Sequence, residues 1–483
     1  MRKAKIVCTI GPASDSLETV DRLIEQGMDA ARLNFSHGTH ESHAAAIRAI
    51  RQAAERRRTA VAIIQDLQGP RIRVGELPAE GFMVRAGQRV YLTVSPLDRG
   101  SQRAQQSAGT IPDVVIPVAY QSFARDVQPG ARILINDGLI ELVADRVTGE
   151  AVDCTVIVGG LITSHKGINL PGTRVSASTL TNKDRADIRF GISQGVDYVA
   201  LSFVRGPEDV VAAQQILVEC GRKLPIIAKI ERAEAVATLD GIIEQADGVM
   251  IARGDLGVEL GPEAVPVLQK HIIAEANNRR RLVITATQML ESMTHARRPT
   301  RAEASDVANA VFDGTDAVML SAETAIGSYP IETVQVMDRI IRAAEAGAEP
   351  GVVPKRQTDF GIMSFPEAIC TAASSAAKAV TASAIVAFSE QGSTARLISK
   401  QRPEAPIFAL TPFEEVRQRM ALYWGVRPCV VPQLEQTDQR VEEAERRLKS
   451  EGQIQIGEKI VILSGTRVGQ PGGTNLLKLH QVG

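Results

Sequence analysis

PIIAKIER (Pro225–Arg232) is a short apolar run that carries Lys229 near its end and closes on Glu231 and Arg232. An apolar run of this length reads as a buried β-strand, so its charged residues sit where the strand stops. The same form recurs in RLNFSH (Arg32–His37), ARGDLG (Ala252–Gly257) and TATQMLES (Thr285–Ser292). Strand alternation places Arg32, Asn34 and Ser36 on one face and pairs Lys229 with Glu231. Cations, carboxylates and hydroxyls delivered together from several strand ends suit transfer of a charged group between small anions.

Working outward, eight such runs read as central strands: Lys5–Ile10, Ala30–Phe35, Val61–Asp66, Tyr198–Phe203, Pro225–Ile230, Gly248–Ala252, Leu282–Thr287 and Ala317–Ser321. Helix-like segments, such as Asp15–Gln26 and His40–Arg56, lie between most of them. VAIIQDL (Val61–Leu67) and RLVITAT (Arg281–Thr287) are apolar with little alternation, as expected of strands covered on both faces. Eight alternating units predict an α/β fold built on a (β/α)8 barrel, whose working groups lie at the C-terminal strand ends.

More than a hundred residues separate the third and fourth strands, too many for one crossover helix. From about Pro70 to Lys166 the chain is rich in Val, Gly and Pro and carries strand-like RVYLTV (Arg89–Val94), RILINDGLIELVA (Arg132–Ala144) and AVDCTVIVG (Ala151–Gly159). INDG between two apolar runs is a hairpin signal. This predicts a small all-β barrel domain inserted over 70–166, entered at QGPR (Gln68–Arg71) and left at SHKGINLPG (Ser164–Gly172). Gly and Pro at both crossings suit a hinge, and the insert a lid. The catalytic barrel would then comprise 1–69 and 167–345. AEPGVVPK (Ala348–Lys355) reads as a linker to a second α/β unit over 350–483, in which Thr437–Lys449 reads as a solvated helix face.

At 483 residues the chain exceeds a single core and predicts roughly two to four domains. With 55 Lys plus Arg against 56 Asp plus Glu, nothing favours nucleic acid or an anionic membrane as partner. No apolar run approaches the ~18 residues of a membrane helix, and the N-terminal apolar stretch is too short for a signal peptide. The five cysteines are dispersed without metal-ligand spacing, which predicts buried free thiols in a reducing cytosol.

Arg32, Arg73 and Lys229 converging on one barrel mouth would repel unless an anion filled the centre; alone, each could be an ordinary salt-bridge partner. Glu231 and Asp255 are a two-carboxylate set of the kind that holds Mg²⁺ with substrate oxygens and waters, or else partners of Arg232 and Arg253. The glycines of ARGDLG offer backbone N–H groups to a carboxylate, or merely reverse the chain. Thr287 could hydrogen-bond a bound acid or satisfy its own strand. Asn34, Ser36 and Asp66 could hold a monovalent cation or orient the arginines. Lys166 and His37 fall near the barrel–lid junction, where a polyphosphate could bridge.

KAKIVCTIGPAS, RLNFSHG, DLQGPRIRVG, SHKGINLPG, IAKIE, ARGDLGVE, ATQMLESM and DAVMLSAETAIGSYP run in this order from the N-terminus to about Pro330. Together they resemble the pyruvate kinase family. The resemblance implies phosphoryl transfer from phosphoenolpyruvate to ADP, giving pyruvate and ATP. It implies that Arg32 and Arg73 bind phosphates and that Lys229 stabilises the transferring group. Glu231 and Asp255 would hold Mg²⁺, with Mn²⁺ as a substitute, and Gly254, Asp255 and Thr287 the substrate carboxylate. Thr287, through water, would protonate the enolate, and Arg73, Lys166 and His37 would contact the nucleotide. Asn34, Ser36, Asp66 and the backbone of Leu67 match the family's K⁺ site. A homotetramer, a cytoplasmic location and a regulatory C-terminal domain are implied as well.

Two departures stand out. K⁺-requiring members resemble DTKGPEIR at the hinge, whereas this chain reads DLQGPRIR, with Arg71 in place of Glu. A fixed guanidinium could supply the charge that K⁺ otherwise contributes, which predicts activity without monovalent cations. In the C-terminal domain SEQGSTAR (Ser389–Arg396) matches the loop that grips a phosphate of fructose 1,6-bisphosphate, through Ser389, Gly392, Ser393 and Thr394. Glu390 places a negative charge beside it at a cost of ~1 kcal/mol. That predicts a weak or absent response to this activator, leaving another phosphorylated effector open. Two other readings compete: a Mg²⁺-dependent lyase acting on the same acids, which gives Lys166, Arg73 and the lid no purpose, and a metabolite-binding regulator, which predicts damage among Lys229, Glu231, Asp255 and Thr287. All four are intact.

Overall fold

A computed structural model describes residues 2–94, 114–347, 363–434, 436–465 and 473–483. The eight apolar runs form β1 (Lys5–Ile10), β2 (Ala30–Asn34), β3 (Ala62–Asp66), β4 (Tyr198–Leu201), β5 (Ile226–Ile230), β6 (Gly248–Ala252), β7 (Leu282–Ala286) and β8 (Ala317–Leu320). They pair in parallel and close into a barrel in the order β1-β8-β7-β6-β5-β4-β3-β2. Six expected strands exceed the observed ones by one or two residues, and two of them were to run through Phe203 and Thr287. Both residues adopt left-handed backbone, φ 57° and 69°, which ends strand geometry. Helices His40–Arg56 and Asn182–Gln194 each begin with a reciprocal capping box, from Thr39 and Thr181.

Alternation along each strand divides the side chains between two cores. Ile6, Cys8, Leu33, Ile63, Val199, Leu201, Ala228 and Ile251 face outward into the shell of helices. Val7, Ala30, Ala62, Ile64, Tyr198, Ala200, Ile227, Met250 and Ile284 fill the barrel interior. The same period carries Arg32, Asp66, Ser202, Lys229 and Glu231 inward at the C-terminal end. The site therefore sits on a floor of buried apolar side chains.

The insert forms a six-stranded sheet, in spatial order Ile168–Asn169, Arg132–Ile135, Ile140–Thr148, Ala151–Val158, Arg89–Thr93 and Val114–Pro117. Phe82–Val84 and Gly160–Ile162 add an antiparallel ribbon, and the whole encloses a core of its own. INDG is the hairpin it resembles, with Asn136, Asp137 and Gly138 all at positive φ. The two crossings pair with each other: Val74 N–H donates to the Lys166 carbonyl (2.8 Å) and Ile168 N–H to that of Ile72 (2.9 Å).

The C-terminal unit is a five-stranded sheet ordered Val426–Val430, Ile407–Thr411, Ala384–Phe388, Lys459–Gly465 and Thr474–Gln481. The last strand runs antiparallel and has no counterpart in the sequence reading, because TNLLKLHQ lacks a continuous apolar run. The Ala348–Lys355 linker lies outside the described residues. All five cysteines are free, and four of them are buried.

This unit closes the bottom of the barrel. Ala421 and Leu422 pack directly against the barrel interior, and the Tyr198 hydroxyl donates to the Arg419 carbonyl (2.9 Å). Beside them Lys400 reaches Asp316 (2.5 Å) and Asn277 (2.7 Å), while Arg402 meets the other Asp316 oxygen at 2.9 Å. Burial pushes the Lys400 ammonium down to about 7, although Asp316 pulls the other way; Arg402 and Arg396 add to the drop. Between that value and the ordinary lysine range the unfolded chain binds more protons than the folded one, so the Lys400 contribution makes stability rise with pH. In Lys400→Met this part of the slope disappears. Its melting temperature relative to the parent is expected to decline from pH 6.5 to pH 9.5, and parallel curves would refute the assignment.

Candidate active site

At the C-terminal ends of β2 to β7, the inward file meets in one cluster. Arg32 donates through Nε to Asp66 Oδ2 (2.7 Å) and through Nη1 to the Thr9 hydroxyl (3.1 Å). The Lys229 ammonium lies 3.4 Å from both Asp66 Oδ1 and Glu231 Oε2 and donates to Ser202 Oγ at 2.7 Å. Ser202 in turn donates to the Leu67 carbonyl (2.7 Å). Asp66 and Glu231 are 1% exposed, so two guanidinium or ammonium groups share one buried carboxylate.

Burial alone would raise the Asp66 carboxyl, but Lys229 and Arg32 outweigh it and hold it below the usual carboxylate range. Burial would likewise lower Lys229, yet Asp66 and Glu231 raise it, and it stays charged. Glu231 is pushed up to about 7, first by burial and also by the nearby Asp255 charge, against the pull of Lys229. Its Oε1 accepts the Phe203 N–H, whereas Oε2 is buried without a hydrogen-bond partner.

ARGDLG differs from a free turn, because the helix Arg253–Leu260 starts directly at the end of β6. Gly254 N–H is already engaged, donating to Thr287 Oγ1 at 2.8 Å, and this brings Gly254, Asp255 and Thr287 together. The alternative partners of the two carboxylates are occupied elsewhere. Arg253 bonds Asp306 (2.7 Å), and Arg232 meets Glu234 (3.1 Å) and Glu259 (3.7 Å). Asp255 instead faces Arg71 of the hinge, 3.8 Å away.

Arg73 and Lys166 lie on the two paired hinge strands, where Arg73 bridges Gly167 and its Nη1 donates to the His165 carbonyl (3.4 Å). His37 is exposed on the loop after β2. Partial burial lowers its imidazole, and the charges of Arg73, Arg71 and Arg32 lower it further, so it remains neutral. The K⁺-type set is largely occupied by protein partners: Asn34 Oδ1 accepts from Ser36 N–H (3.2 Å), Leu67 O from Ser202, and Asp66 is shared by the cations.

The strand-end reading did not single out Ser202 or Phe203, which link Lys229, Asp66, Leu67 and Glu231. Their signal was YVALSF, one of three central strands, with Lys5–Ile10 and Ala317–Ser321, from which no polar residue was taken. Arg440 was also missed. It falls in the stretch read as a solvated face but is 8% exposed, stapling the carbonyls of Leu434 (3.0 Å) and Gly465 (2.7 Å) beside the Ser389–Thr394 loop. In that loop Ser389 Oγ accepts Thr394 N–H (3.3 Å), and the Thr394 hydroxyl pairs with Thr474 (2.6 Å). Gly392 is left-handed (φ 83°) and Ser393 opens the next helix.

Family profiles match this architecture over nearly its whole length: "Pyruvate kinase, barrel domain" over residues 1–334 and "Pyruvate kinase, alpha/beta domain" over 367–480. The chain belongs to the pyruvate kinase family. It is 44% identical to pyruvate kinase 2 of Synechocystis sp., covering all of this chain and 79% of that protein. The pyruvate kinase of Mycobacterium tuberculosis is 41% identical, with 100% and 99% covered. A crystal structure of a pyruvate kinase from Cryptosporidium parvum superimposes with a TM-score of 0.89 at 37% identity, over 100% of this chain and 96% of that one. No helix among the described residues is long and apolar enough to cross a membrane.

Because Asp66 screens Arg32 from Lys229, Asp66→Asn leaves the nearly buried Arg32 without its counter-charge and Lys229 with Glu231 alone. A loss of about 3–5 kcal/mol is expected, read as a fall in the urea midpoint. An unchanged midpoint would mean the two cations do not depend on this carboxylate.

Proposed function

We propose that the chain transfers the phosphoryl group of phosphoenolpyruvate to ADP, giving pyruvate and ATP. The observation that carries this reading is the shared buried carboxylate. Arg32 and Lys229 are held side by side on Asp66, next to a Glu231 oxygen that lacks a hydrogen-bond partner. An oxygen of the ADP β-phosphate attacks phosphorus while the bond to the enol oxygen breaks. The enolate then takes a proton at its methylene carbon. The phosphoryl group in flight is met by Arg32 and Lys229, in keeping with a loose transition state stabilised by placed charge.

Glu231 and Asp255 fit Mg²⁺ or Mn²⁺, since one buried oxygen is unspent and the second carboxylate is partly exposed. Two carboxylates are a set that substrate oxygens and water would complete around such an ion. When bound, the ion neutralises the substrate's carboxylate and phosphate. The main-chain N–H of Asp255, in the first turn of its helix, receives the substrate carboxylate, with Thr287 beside it to relay a proton through water. Arg73, Lys166 and neutral His37 face the nucleotide, which brings a second Mg²⁺.

Residues 1–69 and 167–345 act as the catalytic barrel, 70–166 as a lid that closes to exclude water, and 350–483 as the regulatory unit of a cytoplasmic homotetramer. In the Ser389–Thr394 loop the engaged hydroxyls and Glu390 leave little for the phosphate of fructose 1,6-bisphosphate.

Lys229→Met is expected to lower kcat about a thousandfold in a coupled assay of pyruvate formation. Retained turnover would reject the mechanism, and binding without turnover in the parent would favour a regulator. Arg71 brings fixed positive charge to within 3.8 Å of Asp255, and Asn34 Oδ1 and Leu67 O already accept from protein donors, so K⁺ is not required. Rates in sodium- and potassium-free buffer should match those with K⁺, and Arg71→Glu should create a K⁺ stimulation of about tenfold, the effect of roughly one lost charge contact. A strict K⁺ requirement in the parent would overturn this part.

A further inference from the structure

Arg253 is 9% exposed and spends its guanidinium on main-chain oxygens at the end of β7. Nε donates to the carbonyls of Ala286 (3.2 Å) and Thr287 (3.3 Å), and Nη2 to those of Thr287 (2.7 Å) and Gln288 (3.3 Å). Nη1 is anchored by Asp306 (2.7 Å) and Gln269 (3.2 Å), which hold the fork in one orientation. Three consecutive carbonyls are thus drawn to one side chain.

The segment it holds is strained. Thr287 and Gln288 are both left-handed, with φ 69° and 53°. For a β-branched residue that conformation is unfavourable and persists only where the surroundings over-determine it. Its consequence is local: the Thr287 hydroxyl accepts Gly254 N–H (2.8 Å) and donates to the Ala286 carbonyl (2.6 Å). Arg253 and Gly254 are neighbours in sequence, so one turn grips the Thr287 backbone with a side chain and its hydroxyl with an amide.

We infer that Arg253 is a positioning residue, whose guanidinium keeps Thr287 in the left-handed conformation that sets its hydroxyl beside Gly254 and Asp255. The inference rests on the phosphoryl-transfer reading and on Thr287 as the proton relay within it. Lysine cannot replace the fork, because one ammonium cannot span three carbonyls and Asp306 together.

The test compares Arg253→Met, Arg253→Lys, Asp306→Asn and Thr287→Val in the full-length enzyme. Steady-state kcat and the KM for phosphoenolpyruvate are measured, together with exchange of the pyruvate methyl protons into D2O with Mg²⁺ and ATP present. Exchange reports proton transfer at carbon separately from phosphoryl transfer. Arg253→Met should lower kcat and exchange together by about tenfold or more, with KM within threefold, the pattern of a lost transition-state contact. Arg253→Lys should recover only part, and Asp306→Asn should shift both in the same direction by less. Should Arg253→Met fail to fold, Asp306→Asn decides the matter. Loss of exchange in Thr287→Val with normal exchange in the Arg253 and Asp306 variants overturns the positioning role alone. Normal exchange and turnover in Thr287→Val overturn the Thr287 relay and the positioning role with it.

Discussion

Two cations held against one buried carboxylate set the terms for the rest of this site. At 3.4 Å, and with an effective dielectric of about 20, the Lys229–Asp66 attraction is on the order of 5 kcal/mol, enough to keep the ammonium charged despite burial. Arg32 draws on the same carboxylate from the other side. Around this core Arg71, Arg73 and Lys166 add positive charge from the hinge, and Glu231 and Asp255 supply negative charge from the barrel. Cations outnumber carboxylates there, so the mouth favours a highly charged anion as its occupant.

That arrangement depends on strand register. Asn34 pairs with Asp66, Ala200 with Asp66, and Lys229 with Met250. A slip of one residue in any of these strands would turn its charged residue into the helical shell and an apolar one into the mouth. The interior apolar layer fixes the register, and Ala421 and Leu422 from the C-terminal unit seal its lower end. Packing at the bottom of the barrel and charge placement at the top are therefore one constraint, to which the C-terminal unit contributes.

Much of this was legible in the residues. Apolar runs located all eight barrel strands because burial on both faces leaves an unbroken signal, and polar strand ends located Arg32, Asp66, Lys229, Glu231 and Asp255. What escaped depends on geometry that no local pattern encodes. Ser202 and Phe203 act through a hydroxyl and a backbone N–H of a left-handed residue, and neither residue type signals chemistry. Arg440 looks like any charged helix residue until the fold buries it under the Ser389–Thr394 loop. Arg253 sits inside the most conspicuous motif of the chain, yet its side chain leaves that motif for Asp306, 53 residues away. The edge strand Thr474–Gln481 was missed because only its first residue is buried, which leaves no continuous apolar run.

Arg71 shows how one hinge residue can alter the electrostatics of a site built by the barrel. Exchange of a carboxylate for a guanidinium changes the local charge by two units, and here the new charge approaches Asp255 at 3.8 Å across the lid–barrel junction. Nearby, Leu67 O already receives Ser202 and Asp66 already serves Arg32 and Lys229. Arg71 reaches Asp255 from the start of the insert, so the placement of the insert against the barrel and the charge beside Asp255 are set by the same contact.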